Sequence, residues 1–280
     1  MAGILYLVPT PIGNLNDISP RCARTLAEAD FIAAEDTRVS LKLLNHLEIK
    51  KSLVSYHEHN KAESGGKILT RLLAGETCAL VTDAGSPAIS DPGEDLVRLC
   101  AENGVTVCAI PGPCALVTAL SISGLPTGRF TFEGFLSVNK KSRQEHLTGL
   151  KDETRTMIFY EAPHKLQNTL KDLTDAFGPE RRISLCRELT KLHEQILRMT
   201  LGEALAYYTE NDPRGEYVLI LEGAAEASEE ALTLEDAVSL ALERIASGAS
   251  KKDAVREVSR ETGFPKNALY DAVLRMQDAD

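Results

Sequence analysis

The stretch Leu80-Val81-Thr82-Asp83-Ala84-Gly85-Ser86-Pro87-Ala88-Ile89-Ser90-Asp91-Pro92-Gly93 decides how the chain is read. The apolar run from Cys78 to Val81 predicts a buried strand of a parallel sheet, and a turn crowded with Gly, Pro, Asp and Ser breaks it. Ligands of open α/β sheets sit beyond the carboxyl ends of the strands. A long loop of small residues there is either a ligand cradle or a structural turn leading into the helix that starts near Gly93.

Outward from this stretch the same unit repeats. The strand Ile4 to Val8 ends in Pro9-Thr10-Pro11-Ile12-Gly13-Asn14, and Ser19-Pro20 supplies an N-cap and a first-turn proline for a helix to about Ala29. Strand, loop and helix then recur at Phe31 to Ala34 before Glu35-Asp36-Thr37-Arg38, at Ser52 to Tyr56 before His57-Glu58-His59-Asn60, and at Val105 to Ile110 before Pro111-Gly112-Pro113-Cys114-Ala115. Apolar strands separated by helices imply right-handed crossovers and a parallel sheet with its polar loops at one edge.

A chain of 280 residues that is 43% hydrophobic can fill two modest cores. No apolar run is long enough to span a membrane and no basic leader precedes Ile4, so a cytoplasmic protein without a membrane partner is expected. The six cysteines fall inside apolar patterns without a C-x-x-C pair, which points to reduced, buried thiols. The net charge of −10 argues against a nonspecific nucleic-acid coat, but not against RNA held by a local basic patch. Neither G-x-G-x-x-G nor G-x-x-x-x-G-K-[ST] occurs, which disfavours a nicotinamide enzyme or a P-loop NTPase. His57 and His59 lack a companion carboxylate and cysteine set, so they read as surface residues and no metal site is expected.

Five motifs in order carry a resemblance: Tyr6 to Leu15, Ala34 to Arg38, Thr82 to Pro87, Ile110 to Ala115 and Phe159-Tyr160-Glu161-Ala162-Pro163-His164. Together they resemble the 2′-O-methyltransferase I family of small-subunit (16S) ribosomal RNA, a branch of the tetrapyrrole-methylase-like enzymes. The resemblance implies a two-domain α/β tetrapyrrole-methylase-like fold, S-adenosylmethionine in the cleft between the domains, and a homodimer. The implied acceptor is a cytidine ribose 2′-hydroxyl in small-subunit RNA or the assembled 30S subunit. The first loop departs from the wider superfamily's G-x-G-P-G-D-P pattern, with prolines and Asn14 where that pattern has glycines and an acid, which favours the RNA branch. By superfamily position the donor touches Ile12, Asp83, Ala84, Gly85, Ser86, Ile89, Cys114, Ala115, Glu161, Leu189 and Glu216.

Residues 126–224 continue as alternating strands and helices after the break Gly124-Leu125-Pro126-Thr127-Gly128. The expected organisation is thus 1–125 and 126–224 as two α/β domains, then 225–280. Strands are expected at Phe130 to Phe132, Thr156 to Tyr160, Ile183 to Cys186 and Tyr217 to Leu221, with helices near 141–150 and 163–177. The Ala-, Ser- and Glu-rich stretch 224–233 reads as a linker, and helices at Leu234 to Ile245, Lys251 to Glu261 and Lys266 to Met276 have helix-turn-helix spacing. That segment is either an RNA-contacting appendage or a helical cap or dimer contact.

Methyl transfer to a ribose hydroxyl needs near-attack positioning and removal of a proton from a weak nucleophile. The candidates are the polar loop residues Asn14, Glu35, Asp36, Arg38, Glu161 and His164, with Glu161 or Asp36 near the hydroxyl. Arg38 and the segment Lys140, Lys141, Arg143 are candidates for phosphate contacts, as are Arg187 and Lys191. Each has a plainer alternative. Glu35, Asp36 and Arg38 form a loop clasp, His164 caps the next helix, and the lysines lie on a solvated helix face. Two rival functions stand beside this one: a methyltransferase acting on a tetrapyrrole, and a non-catalytic nucleic-acid-binding module.

Overall fold

The structure, a computed structural model, describes residues 2–225 and 233–277. The strands β1 (Ile4–Leu7), β2 (Phe31–Ala34), β3 (Ser52–Ser55), β4 (Cys78–Val81) and β5 (Thr106–Ala109) form a wholly parallel sheet in the order β3-β2-β4-β1-β5. Their crossovers are α1 (Pro20–Glu28), α2 (Thr37–His46), α3 (Lys61–Leu73) and α4 (Glu94–Glu102). The interior strands β2 and β4 are buried at every residue, which is why they read as unbroken apolar runs. Helix α1 starts where the Ser19-Pro20 pair requires: the Cys22 N–H donates to Ser19 Oγ at 3.1 Å. Replacing Ser19 by Ala is expected to cost about 1 kcal/mol, read as a lower melting temperature with unchanged ligand binding.

After α5 (Ala115–Ile122) comes a second sheet, β6-β7-β10-β8-β9, made of β6 (Phe130–Phe135), β7 (Thr156–Glu161), β8 (Arg182–Arg187), β9 (Gln195–Thr200) and β10 (Tyr217–Leu221). Its helices are α6 (Lys140–Gly149), α7 (Leu166–Phe177) and α8 (Leu201–Glu210). Only β6 and β7 pair in parallel; β10 runs antiparallel between β7 and β8, and β9 is antiparallel to β8. The sequence reading lacked β9 and α8. Arg198 interrupts the alternation of β9, and Gly202 obscures the Thr200-x-x-Glu203 capping box that starts α8.

Residues 1–223 form one compact unit that carries both sheets. The second compact unit spans 224–280. In it α9 (Leu234–Ala246), α10 (Lys251–Thr262) and α11 (Lys266–Gln277) enclose Val238, Val255, Val258, Leu269 and Val273, within a residue of the expected helix bounds. Of the stretch read as a linker, 226–232 lies outside the described residues. Among the described residues no helix is long and apolar enough to cross a membrane.

Candidate active site

The strands β2, β4, β1 and β5 are neighbours, so the loops after their carboxyl ends converge. Thr10 and Gly85 exchange backbone hydrogen bonds at 2.9 and 3.0 Å, tying the first loop to the loop after β4. Ser86 Oγ donates to the Pro113 carbonyl at 3.0 Å, tying the latter to the loop after β5. The Asp36 N–H donates to Asp83 Oδ1 at 3.1 Å, so this carboxylate also fixes the start of α2. Gly85, Ala88, Ser90 and Gly93 all hold positive φ, and a side chain on Gly93 would meet Leu80 and Ala88 at 3.0 Å. Two left-handed non-glycine residues in one loop are strain of the kind that persists where surrounding contacts impose a functional geometry.

These loops face the second sheet across a cavity of about 440 Å³, within the ~300–1,000 Å³ usual for small-molecule sites. From the first sheet come Ile12, Glu35, the run Asp83 to Ser86, and Ile89 to Asp91, with Cys114 and Ala115 opening α5. From the second come Phe135, Tyr160, Glu161, Glu188, Leu189, Lys191, Glu216 and Tyr217. All the residues that superfamily position assigned to the donor line this one space. The Leu116 N–H donates to the Tyr160 hydroxyl at 3.1 Å, and the Tyr160 ring packs edge-on against Phe132 and Phe135.

The wall is strongly acidic. Burial raises Asp91 to about 7, with the charges of Glu35 and Asp83 adding to the effect. Glu35 is raised by burial and then by Asp83, and Asp83 is raised chiefly by burial. Lys191 is the cation at this wall, and its Nζ lies 2.9 Å from both Glu188 and Glu216. The turn that carries it has positive φ at Glu188 and Thr190 and closes over Gly13.

Several candidates lie elsewhere. Asn14 accepts the Asn16 N–H at 3.1 Å and caps a single 3-10 turn. Asp36 caps α2 and is clasped by Arg38, whose side-chain and backbone hydrogen bonds hold its carboxyl far below the usual range, leaving a weak base. His164 is exposed in a 3-10 turn outside the cavity lining, and α7 has no side-chain cap. Lys140 and Lys141 are exposed, whereas Arg143 is turned inward onto Asp172 and Thr169. Arg187 donates to the Arg214 carbonyl at 2.7 Å and to Gln195 at 3.2 Å. Asp91, Glu188, Phe135, Tyr160 and Tyr217 were missed as site residues. Asp91 lay in plain view beside Pro92, but its basicity comes from burial and from the charges of Glu35, distant in sequence, and Asp83.

The family profile described as "Tetrapyrrole (Corrin/Porphyrin) Methylases" matches residues 4–205, and "RsmI C-terminal HTH domain" matches 233–277. The chain is 47% identical to the ribosomal RNA small subunit methyltransferase I of Synechocystis sp., over 98% of this chain and 99% of that protein. It belongs to that family. The protein of the same name from Halalkalibacterium halodurans is 48% identical, over 96% of this chain and 94% of its own. Among solved structures, uroporphyrin-III C-methyltransferase of Thermus thermophilus in complex with S-adenosylhomocysteine shares the fold. Its TM-score is 0.57 at 19% identity, covering 79% of this chain and 97% of that one. The two-sheet α/β architecture is therefore that of the tetrapyrrole methylases, with a helical C-terminal region added.

Proposed function

We propose that this chain transfers the methyl group of S-adenosylmethionine to the 2′-hydroxyl of a cytidine in small-subunit (16S) ribosomal RNA. The observation that carries the reading is the near full-length identity to relatives named for methylation of that RNA. The cavity fits the donor on its own terms. Small residues, Ala84, Gly85, Ser86 and Ala115, let a ligand approach the backbone, and the carboxylates of Glu35, Asp83 and Asp91 suit a cation. When bound, S-adenosylmethionine supplies a methyl group on a positively charged sulfur.

The chain's own work is to hold, orient and accept a proton. Phe135 and Tyr160 offer apolar and aromatic surface at the cavity wall. Of the carboxyls there, Asp91 has the basicity suited to taking a hydroxyl proton near neutral pH, so in this reading the proton acceptor is Asp91, with Glu35 beside it, rather than Asp36. Lys140 and Lys141 are exposed to phosphates, Lys141 with its Nζ 3.8 Å from Glu145, and Arg38, with 87% of its side chain exposed, reaches solvent beyond the carboxyl end of β2. In the helical unit Lys252, Arg260, Lys266 and Arg275 are exposed, as a nucleic-acid-binding helix-turn-helix would have them. The reading includes a homodimer in the cytoplasm acting on naked RNA or the 30S subunit, as the family resemblance implies.

The test is calorimetric titration with S-adenosylmethionine, followed by transfer of labelled methyl to small subunits lacking the modification. Binding and transfer to subunit RNA are expected, with the RNA step weakening as salt rises. Binding with transfer only to a tetrapyrrole would overturn the RNA assignment.

A further inference from the structure

A buried polar chain runs from α6 to the cavity. Arg143, with 11% of its side chain exposed, is held by Asp172 through Nε at 2.5 Å. Its Nη2 donates to Thr169 Oγ1 at 2.8 Å, and the Thr169 hydroxyl donates to Glu161 Oε2. The other Glu161 oxygen accepts the Ala162 N–H at 2.8 Å. Thr169 is 1% exposed and Glu161 4%, yet Glu161 borders the cavity.

The direction of this chain is fixed by chemistry. A guanidinium can only donate, so it occupies a lone pair of the Thr169 oxygen and turns the hydroxyl proton toward Glu161. A carboxylate offers about four acceptor positions. Two of these are taken by Thr169 and Ala162, which pins the carboxylate plane and leaves the rest for a group in the cavity. Neither Arg143 nor Thr169 lines the cavity, so both act on it only through Glu161.

We propose that Arg143 and Thr169 are positioning residues that preset Glu161 as an acceptor for the hydroxyl or ammonium groups of the methyl donor. The inference rests on reading the cavity as the S-adenosylmethionine site. It gives Arg143 a role different from direct RNA contact and explains why a cation on the α6 face beside exposed lysines is turned inward.

The test is calorimetric titration of the full chain with S-adenosylmethionine, without any acceptor. Thr169→Val keeps the shape and removes the hydroxyl. It should weaken binding on the order of fivefold, and Thr169→Ser should restore it. In a Glu161→Gln background the same Thr169→Val change should have no further effect, because its path to the ligand is gone. Arg143→Lys, which cannot grip Asp172 and Thr169 together, should reproduce the loss and serves if Thr169→Val does not fold. Equal weakening by Thr169→Val in both backgrounds would mark a merely structural network and overturn the proposal. Wild-type binding matched by Thr169→Val and Arg143→Lys would overturn it too. If the wild-type chain itself takes up no S-adenosylmethionine, the reading of the cavity falls and the inference with it.

Discussion

Between pH 5.5 and 7.0 the affinity of the chain for S-adenosylmethionine should rise roughly 15-fold, and Asp91→Asn should flatten that rise. The sign follows from charge. Asp91 in the free cavity has its carboxyl pushed up to about 7 by burial and by the neighbouring charges of Glu35 and Asp83. A positively charged ligand stabilises the ionised form, so binding expels the proton from whichever fraction of the carboxyl still carries it. At pH 5.5 nearly all of it does; at pH 7.0 about half. The window is chosen below the region near 8 where an α-amino group such as the donor's own begins to lose its charge. Calorimetry in buffers of different ionisation enthalpy should show proton release at pH 6 by the wild type and much less by Asp91→Asn.

The stability of the ligand-free chain should move the other way. A carboxyl whose folded value is raised stabilises the fold fully below the unfolded value near 4, and that contribution is lost as pH climbs through about 7. Asp91→Asn should therefore lower the melting temperature less, or raise it, at pH 8 relative to pH 5. Wild-type affinity that stays flat across pH 5.5 to 7.0 would remove Asp91 from the donor's surroundings and with it the choice of proton acceptor.

The sequence discloses the parallel sheet and its loops because the apolar strands end abruptly in polar turns, rich in Gly, Pro and Asp after β1, β4 and β5, signals that are local. Pairing direction in the second sheet is not local. Tyr217–Leu221 reads as one more apolar strand, and only its neighbours make it antiparallel. The same division runs through the site. Asp83, Gly85 and Ser86 sit on a loop whose composition announces a cradle, whereas the behaviour of Asp91 arises first from burial and then from the charge of Glu35, brought close by the β2–β4 pairing, and of Asp83. Arg143 was legible and misread. It lies four residues before Leu147, the buried residue of α6, so the two share the inward face; Lys141 lies well off that face, and Lys140, on the same stripe, is the first residue of the helix and exposed. Grouping Arg143 with Lys141 followed their nearness in sequence rather than the helix period.

Gly13→Ala should lower donor affinity by roughly 30-fold and cost about 1–3 kcal/mol of stability. A Cβ at this position would lie 2.5 Å from Lys191 Cγ, 2.8 Å from Thr190 Oγ1 and 2.9 Å from the Leu189 carbonyl oxygen. The lysine stem can swing aside. The carbonyl cannot, because its turn is set by positive φ at Glu188 and Thr190 and by the Glu188 N–H donating to the Glu216 carbonyl at 3.0 Å. Relief must come from moving the first loop and the turn apart, and the two carry Ile12, Glu188, Leu189 and Lys191 of the cavity wall. Opening that seam admits water to the carboxylates and separates the two halves of the wall. Gly66 is the matched control: it is exposed on α3, and a Cβ there meets nothing within 4 Å. Gly66→Ala should leave binding unchanged and stabilise the chain by about 0.5–1 kcal/mol through helix propensity. Calorimetry and thermal melting of the two variants decide the matter. A Gly13→Ala chain that binds S-adenosylmethionine like the wild type would show that the turn at 188–191 yields freely, and that the cavity does not depend on the close contact of first loop and second sheet.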